Sequence, residues 1–128
     1  MVRILLVEDS VSMRSFVRAC LGSAQSALGE VEVVEAASGF DALRLLPRSH
    51  IDLVISDINM PDINGLELLN FVRTSEKYKD IPVLLISTQS SERDRKRGLA
   101  LGATAYLPKP FSTEELLAST LAALGHRS

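Results

Sequence analysis

Residues 2–7 (VRILLV), 53–55 (LVI) and 81–86 (IPVLLI) are apolar almost throughout, yet each run is too short to be a buried helix. Such runs suit strands covered on both faces, and strands of that kind belong to parallel sheets. A more polar run at 31–36 (VEVVEA) reads as a strand nearer an edge, and residues 103–107 as a short fifth strand. Each is followed by a stretch with helical spacing. After the first strand, Ser10 caps a helix bearing Met13, Phe16, Val17, Cys20 and Leu21 on its inner face, running to about residue 28 and stopping at Gly29. Ser38 and Asp41 open a second helix, with Leu43 and Leu46 facing inward and Pro47 at or just past its end. Asn64-Gly65 leads into a third helix, with Leu66, Leu69 and Val72 on one side. Residues 77–80 are a polar loop. A fourth helix occupies about 91–101, with Ser91 and Asp94 as a weak cap and Gly102 as its stop. Its first turns (ERDRKR) are almost wholly charged, so it buries little. Ser112 to Glu115 forms a capping box for a last helix carrying Leu116, Leu117, Leu121 and Leu124.

Five β-α units with nearly continuous apolar strands predict the doubly wound α/β class, a five-stranded parallel sheet with helices on both faces. Right-handed crossovers leave few arrangements, and the flavodoxin-like order 2-1-3-4-5 is the commonest for five units. At 128 residues the chain is expected to be one domain, residues 1–128, with no repeat or linker inside it. Charged residues make up 23% and the formal net charge is −2, so bulk electrostatics favours neither nucleic acid nor an anionic membrane. No stretch approaches the roughly 18 apolar residues of a membrane span, and no signal sequence is visible. The lone Cys20 cannot form an internal disulfide and fits a small buried group in a reducing, cytoplasmic setting.

Ligands of such folds bind beyond the carboxyl ends of the strands. There the sequence places Glu8 and Asp9 after the first strand, Asp57 at the end of the third, Ser87 after the fourth and Lys109 after the fifth. Singly, each has an ordinary reading: Asp57 as a loop-capping residue, Glu8-Asp9 as a helix cap, Ser87 as a strand-end hydroxyl, Lys109 as a solvated loop lysine. Together those readings require four coincidences at one edge. Three carboxylates within about 5 Å repel by about 3 kcal/mol per pair at an effective dielectric near 20. The cluster therefore calls for a cation or a raised pKa, and as a cation site its hard oxygen donors suit Mg²⁺. Lys109 and Ser87 are groups that hold phosphoryl oxygens, which makes this a site for phosphoryl transfer to the carboxylate of Asp57.

At this point the chain resembles the receiver domain of two-component response regulators, in particular stand-alone chemotaxis-type CheY proteins. The resemblance rests on Val7-Glu8-Asp9-Ser10, Asp57-Ile-Asn-Met-Pro61, Ser87, Tyr106 and Lys109-Pro110-Phe111 in order, and it spans essentially the whole chain. It implies that Asp57 is the phosphoacceptor, served by a histidine kinase or a small donor such as acetyl phosphate. It further implies that Asp9, Asp57 and the Asn59 backbone carbonyl ligate Mg²⁺, with Glu8 holding a bound water. Lys109 would pair with the phosphoryl group, Ser87 would move to hydrogen-bond it, and Tyr106 would turn inward. The Lys109–Pro110 bond would be cis. The signal would leave through the face of the fourth helix, fifth strand and last helix, toward a downstream protein target and not toward nucleic acid or membrane. On that helix Arg93, Arg95, Lys96 and Arg97 read as a solvated face or as an attractor for an acidic partner. The resemblance makes the chain a signalling receiver that promotes its own phosphorylation and dephosphorylation, and not an enzyme.

Three positions depart from the commonest family pattern. Glu8 stands where Asp is frequent, Ser87 where Thr is, and Thr88 where Ala or Gly often sits beside the pocket; none removes a required group. A flavodoxin would share the topology, but Glu8-Asp9 would repel a flavin phosphate. An aspartyl-nucleophile phosphohydrolase would want a general acid two residues after Asp57, where this chain has Asn59. Two readings stay open within or beside the receiver class: a receiver cut from a longer regulator, and a phosphorylation-independent binding module. Neither His50, before a strand, nor His126, in the tail, has the helical setting of a phosphorelay histidine.

Overall fold

The alternation of side chains along a strand assigns each apolar residue of a doubly covered sheet to one of two cores. Five strands carry that alternation: β1 (Val2–Val7), β2 (Val31–Ala36), β3 (Leu53–Asp57), β4 (Val83–Ser87) and β5 (Ala105–Pro108). In the computed structural model, which describes residues 1–23, 28–88 and 92–125, they pair in parallel in the order β2-β1-β3-β4-β5. Among the described residues five α-helices connect or follow them: α1 (Val11–Ser23), α2 (Gly39–Leu45), α3 (Gly65–Thr74), α4 (Glu92–Ala100) and α5 (Thr113–Gly125). Leu5, Val7, Val54, Val83 and Leu85 point to one face and pack with Ala42, Leu46, Leu66, Leu69 and Val72. Ile4, Leu6, Leu53, Ile55, Leu84 and Ile86 point to the other, against Val17, Cys20 and Leu21 of α1 and Leu116 and Ala123 of α5. Every residue of β3 and β4 is buried, whereas β2 buries only Ala36, as an edge strand with Glu32 and Glu35 should.

Local signals set the helix starts. The Ser10 hydroxyl accepts from Met13 N at 3.2 Å, and Ser38 from Asp41 N at 3.1 Å. Ser112 and Glu115 exchange backbone-to-side-chain bonds of 2.9 and 3.1 Å, the expected capping box. A second box joins Asn64 and Glu67 at α3, where the sequence alone shows only Asn64-Gly65 leading into the helix. Gly29 has the positive φ (74°) foreseen for a helix stop. Gly102 (φ 106°) closes α4 in a Schellman turn, with Ala103 N donating to Gly98 O at 2.9 Å and Gly102 N to Leu99 O at 3.1 Å.

That turn moves the fifth strand. Ala103 is spent on the helix cap, so β5 starts at Ala105 instead of 103 and runs through Pro108. β4 likewise starts at Val83, two residues later than expected, because Pro82 has no N–H to give the ladder. Phe16, assigned to the inner face of α1, is 39% exposed; it lies at the rim, its ring 5.9 Å from that of Phe111. Leu121 of α5 is exposed, while Thr120 beside it is buried. The end of the first helix between 24 and 27, the Ser91 cap and His126 lie outside the described residues.

Arg73, near the end of α3, braces three segments at once. Its guanidinium donates to the carbonyls of Gly102 (2.8 Å), Ile81 (2.6 Å) and Lys79 (3.1 Å) and to the Thr104 hydroxyl (3.4 Å). The planar five-donor fork can meet this many acceptors; a lysine ammonium in the same place could not. The brace ties the entry to β4 and the turn after α4 to the body of the sheet.

Thr120 Oγ1 is buried without a hydrogen-bond partner among the described residues. A lone buried hydroxyl costs on the order of 1 kcal/mol. Thr120→Val, nearly the same shape, is expected to raise the unfolding free energy by about 1 kcal/mol in urea titrations; a loss of stability would show that the hydroxyl is satisfied in solution.

Candidate functional site

Because the strands are parallel, their carboxyl ends open on the same side, and the ladder decides which residues face one another there. Asp57 pairs with Ile86, and Ser87 with Pro108. Glu8, just past β1, continues that ladder by donating its N–H to Ala36 O at 3.0 Å. Glu8, Asp9 and Asp57 offer carboxylate oxygens that all lie within 4.8 Å of one another. Glu8 is 1% exposed and Asp57 4%, while Asp9 sits at the exposed lip.

One cation serves the two buried acids. Lys109 Nζ donates to Glu8 Oε1 at 2.8 Å and lies 3.5 Å from Asp57 Oδ2. The backbone after β5 is pinned, Lys109 N donating to Ser87 O at 2.6 Å, and the Lys109–Pro110 peptide is cis. Glu8 Oε2 accepts from Ser10 N at 3.0 Å, and Asp57 Oδ1 from Asn59 N at 3.4 Å. The Asn59 amide reaches the buried Ser87 hydroxyl at 3.4 Å. Burial pushes the Asp57 carboxyl above its usual range; the Lys109 charge and the Asn59 N–H act against it, and Asp9 adds to the rise. Burial also raises Glu8, against the pull of Lys109 and Ser10.

The sequence-derived site is thus assembled at one edge, with two qualifications. Tyr106 is half-buried on β5 opposite Leu85, packed against the core and two ladder positions from the Ser87–Pro108 pair. Thr88 is exposed at the end of β4. Three supporting residues carried no such role in the sequence reading. Gly65 lies where a Cβ would come within 2.4 Å of Asp57 O, so only glycine lets α3 start against the Asp57 backbone. Asp62 accepts from Gly39 N (3.2 Å) and Phe40 N (2.9 Å), fastening the loop after β3 to the start of α2. The Phe40 N–H is the main reason its carboxyl is held down at about 2. Arg14 of α1 donates to the backbone carbonyl of Glu8 at 2.6 Å. Gly65 was visible as a turn residue, but nothing in the sequence tells which backbone it approaches.

The donor set fits a small hard cation. Three carboxylate oxygens gathered within 4.8 Å of one another are the hard donors that a small divalent cation such as Mg²⁺ would take. Three acids facing a single lysine also leave the negative charge in excess.

Residues 4–121 match the family model of the response regulator receiver domain. The chain belongs to the response regulator receiver family. It is 35% identical over 115 residues to a chemotaxis protein CheY homolog of Campylobacter jejuni, covering 89% of this chain and 85% of that one. Over 127 residues it is 37% identical to the response regulator MprA of a Mycobacterium species, but there 99% of this chain spans only 52% of the relative. The structure of Vibrio cholerae chemotaxis protein CheY4 superposes with a TM-score of 0.86 at 37% identity, over 96% of this chain and 98% of that one. Receivers are signalling modules of two-component systems that bind Mg²⁺ at an acidic pocket, and this chain gathers Glu8, Asp9 and Asp57 in one cluster. No helix among the described residues of this receiver is long and apolar enough to cross a membrane.

A carboxyl whose folded pKa is raised binds more protons in the native than in the unfolded state between the ordinary and the raised value. Its ionisation therefore costs stability, fully above that window and not below it. Asp57→Asn removes the charge in nearly the same shape. Without metal it is expected to raise Tm by a few degrees at neutral pH, and by less as the pH falls toward about 4. A thermal-melt series over pH checks this, and a gain that is independent of pH would point to packing instead.

Proposed function

We propose that this receiver accepts a phosphoryl group on Asp57 from the phosphohistidine of a histidine kinase, in a Mg²⁺-dependent reaction, and signals by protein contact. The observation that carries the reading is the setting of Asp57. It is buried at the end of the central strand, with Lys109 Nζ 3.5 Å from Oδ2 and two more carboxylates within 4.8 Å.

Asp9, Asp57 and the Asn59 backbone carbonyl would hold the metal, with Glu8 acting through a water. Bound there, Mg²⁺ screens the repulsion between the carboxylate and the incoming phosphoryl oxygens. An Asp57 carboxylate oxygen attacks phosphorus in line; the new O–P bond forms as the P–N bond breaks, and the imidazole leaves with the bonding electron pair. Lys109 exchanges its ion pair with the acids for a phosphoryl oxygen. The Ser87 hydroxyl, reached by Asn59 at rest, turns to donate to another oxygen, and Tyr106 swings inward into the space this opens. The same groups serve hydrolysis of the acyl phosphate, so the receiver promotes its own phosphorylation and dephosphorylation without being an enzyme toward other substrates.

The output surface is the face of α4, β5 and α5, read by a downstream protein and not by nucleic acid or membrane. Of the described part of α4 only Gly98 is buried, and Arg93, Arg95, Lys96 and Arg97 are exposed or nearly so, which supports a loosely seated helix. Near-complete mutual coverage with the Campylobacter chemotaxis relative supports a single-domain, cytoplasmic, chemotaxis-type regulator built on residues 1–128. The half-length match to MprA favours the second reading, a receiver within a longer regulator.

Incubation with acetyl phosphate and Mg²⁺ is expected to add one phosphoryl mass to the intact protein, and none with chelator or in Asp57→Asn. If no adduct forms and beryllofluoride also fails to bind, the chain is a phosphorylation-independent binding module. Thr88, exposed beside Ser87, narrows access to Asp57. Thr88→Ala is expected to speed transfer from a phosphorylated kinase domain several-fold while changing transfer from acetyl phosphate little; equal rates for wild type and variant would remove Thr88 from this role.

A further inference from the structure

Of the three carboxylates at the site, two are fastened through their own oxygens: Glu8 by Ser10 N and Lys109, Asp57 by Asn59 N and Lys109. Asp9 is exposed and has no such fastening among the described residues. What is fixed is the peptide unit that precedes it. Arg14 Nη1 donates to Glu8 O, the carbonyl of the Glu8–Asp9 peptide, at 2.6 Å. The other side of the guanidinium is anchored, with Arg14 Nε donating to Glu35 Oε1 on β2 at 3.2 Å. The Arg14 side chain is only 17% exposed, so this is a packed strut and not a surface ion pair.

The strut matters because a peptide plane controls the direction of the side chain that follows it. At its amide end the Glu8 residue is held by Ala36 O, and at its carbonyl end by Arg14. Rotation of the Glu8–Asp9 peptide would swing the Asp9 Cα–Cβ bond away from Glu8 and Asp57. We infer that Arg14 is a positioning residue for the metal-binding carboxylates, holding Asp9 in register through the Glu8 carbonyl and braced against Glu35. The inference rests on the Mg²⁺ reading of the site. Groups that orient ligands typically contribute tenfold or more to metal affinity.

Charge alone predicts the opposite sign. Arg14 is a cation beside a cation site, so removing it without any positioning role should tighten Mg²⁺ binding. Arg18 supplies the control: it also pairs with Glu35, on the same helix, but among the described residues no hydrogen bond or ion pair joins it to Glu8.

The test is calorimetric titration of Mg²⁺ alone into unphosphorylated wild type, Arg14→Met, Arg14→Lys and Arg18→Met, with Tm measured on each metal-free protein. The expected result is about tenfold weaker binding for Arg14→Met, a smaller loss for Arg14→Lys, which keeps one donor, and no weakening for Arg18→Met. Equal or tighter binding by Arg14→Met overturns the inference, as does equal weakening by Arg18→Met. Should Arg14→Met fail to fold, the Lys variant decides: affinity equal to wild type overturns the role. If wild type itself binds no Mg²⁺, the reading of the site as a metal-dependent phosphoacceptor fails first, and Arg14 with it.

Discussion

Two carboxylates, Glu8 and Asp57, are buried at the edge of a parallel sheet with one lysine between them. A buried acid is costly unless it is paired, and one ammonium cannot fully pair two. The surrounding geometry is a set of answers to that shortage. Lys109 is brought in by a strand end pinned to Ser87, backbone N–H groups of Ser10 and Asn59 are turned toward the acid oxygens, and Asp9 stays at the lip where water reaches it. The fold tolerates the excess negative charge because the two cores behind it are large, buried and apolar. Without β1, β3 and β4 buried along nearly their whole length, no scaffold would hold such charges together.

Much of this arrangement was legible in the chain itself. Nearly uninterrupted apolar runs at β1, β3 and β4 identify central strands, and Glu32 and Glu35, on opposite faces of β2, mark it as an edge, because a strand covered on both faces has no place for them. The caps at Ser10, Ser38 and Ser112 were legible for a similar reason, since each bond spans only three residues. Boundaries were less so. The shift of β5 follows from a Schellman turn that takes up Ala103, and which residue past a glycine is spent on the cap depends on the φ that the glycine adopts. Phe16 fits the helical stripe by spacing, yet the stripe does not tell how far a neighbouring helix extends over it.

The site divides in the same way. Topology alone delivers Glu8, Asp9, Asp57, Ser87 and Lys109 to one edge, so the chemistry could be read once the strand order was known. The residues that tune it could not. Arg14, Asp62 and Gly65 act on backbone atoms of other segments, Glu8 O, the α2 amides and Asp57 O. A contact to backbone leaves no complementary side chain in the sequence to betray it.

The brace at Arg73 has a mechanical corollary for α4. Its guanidinium holds Gly102 O and Thr104 Oγ1, just beyond the C-terminal end of that helix, to the frame of the sheet. At the other end, Glu92 and Arg93 are exposed. The nine residues of Glu92–Ala100 form a rod about 13 Å long, clamped at one tip. A tilt of about 10° around the clamp would carry the far tip through about 2 Å and leave the clamped tip almost still. Geometrically α4 is a pointer on a fixed pivot, and amplitude along it grows with distance from Gly102.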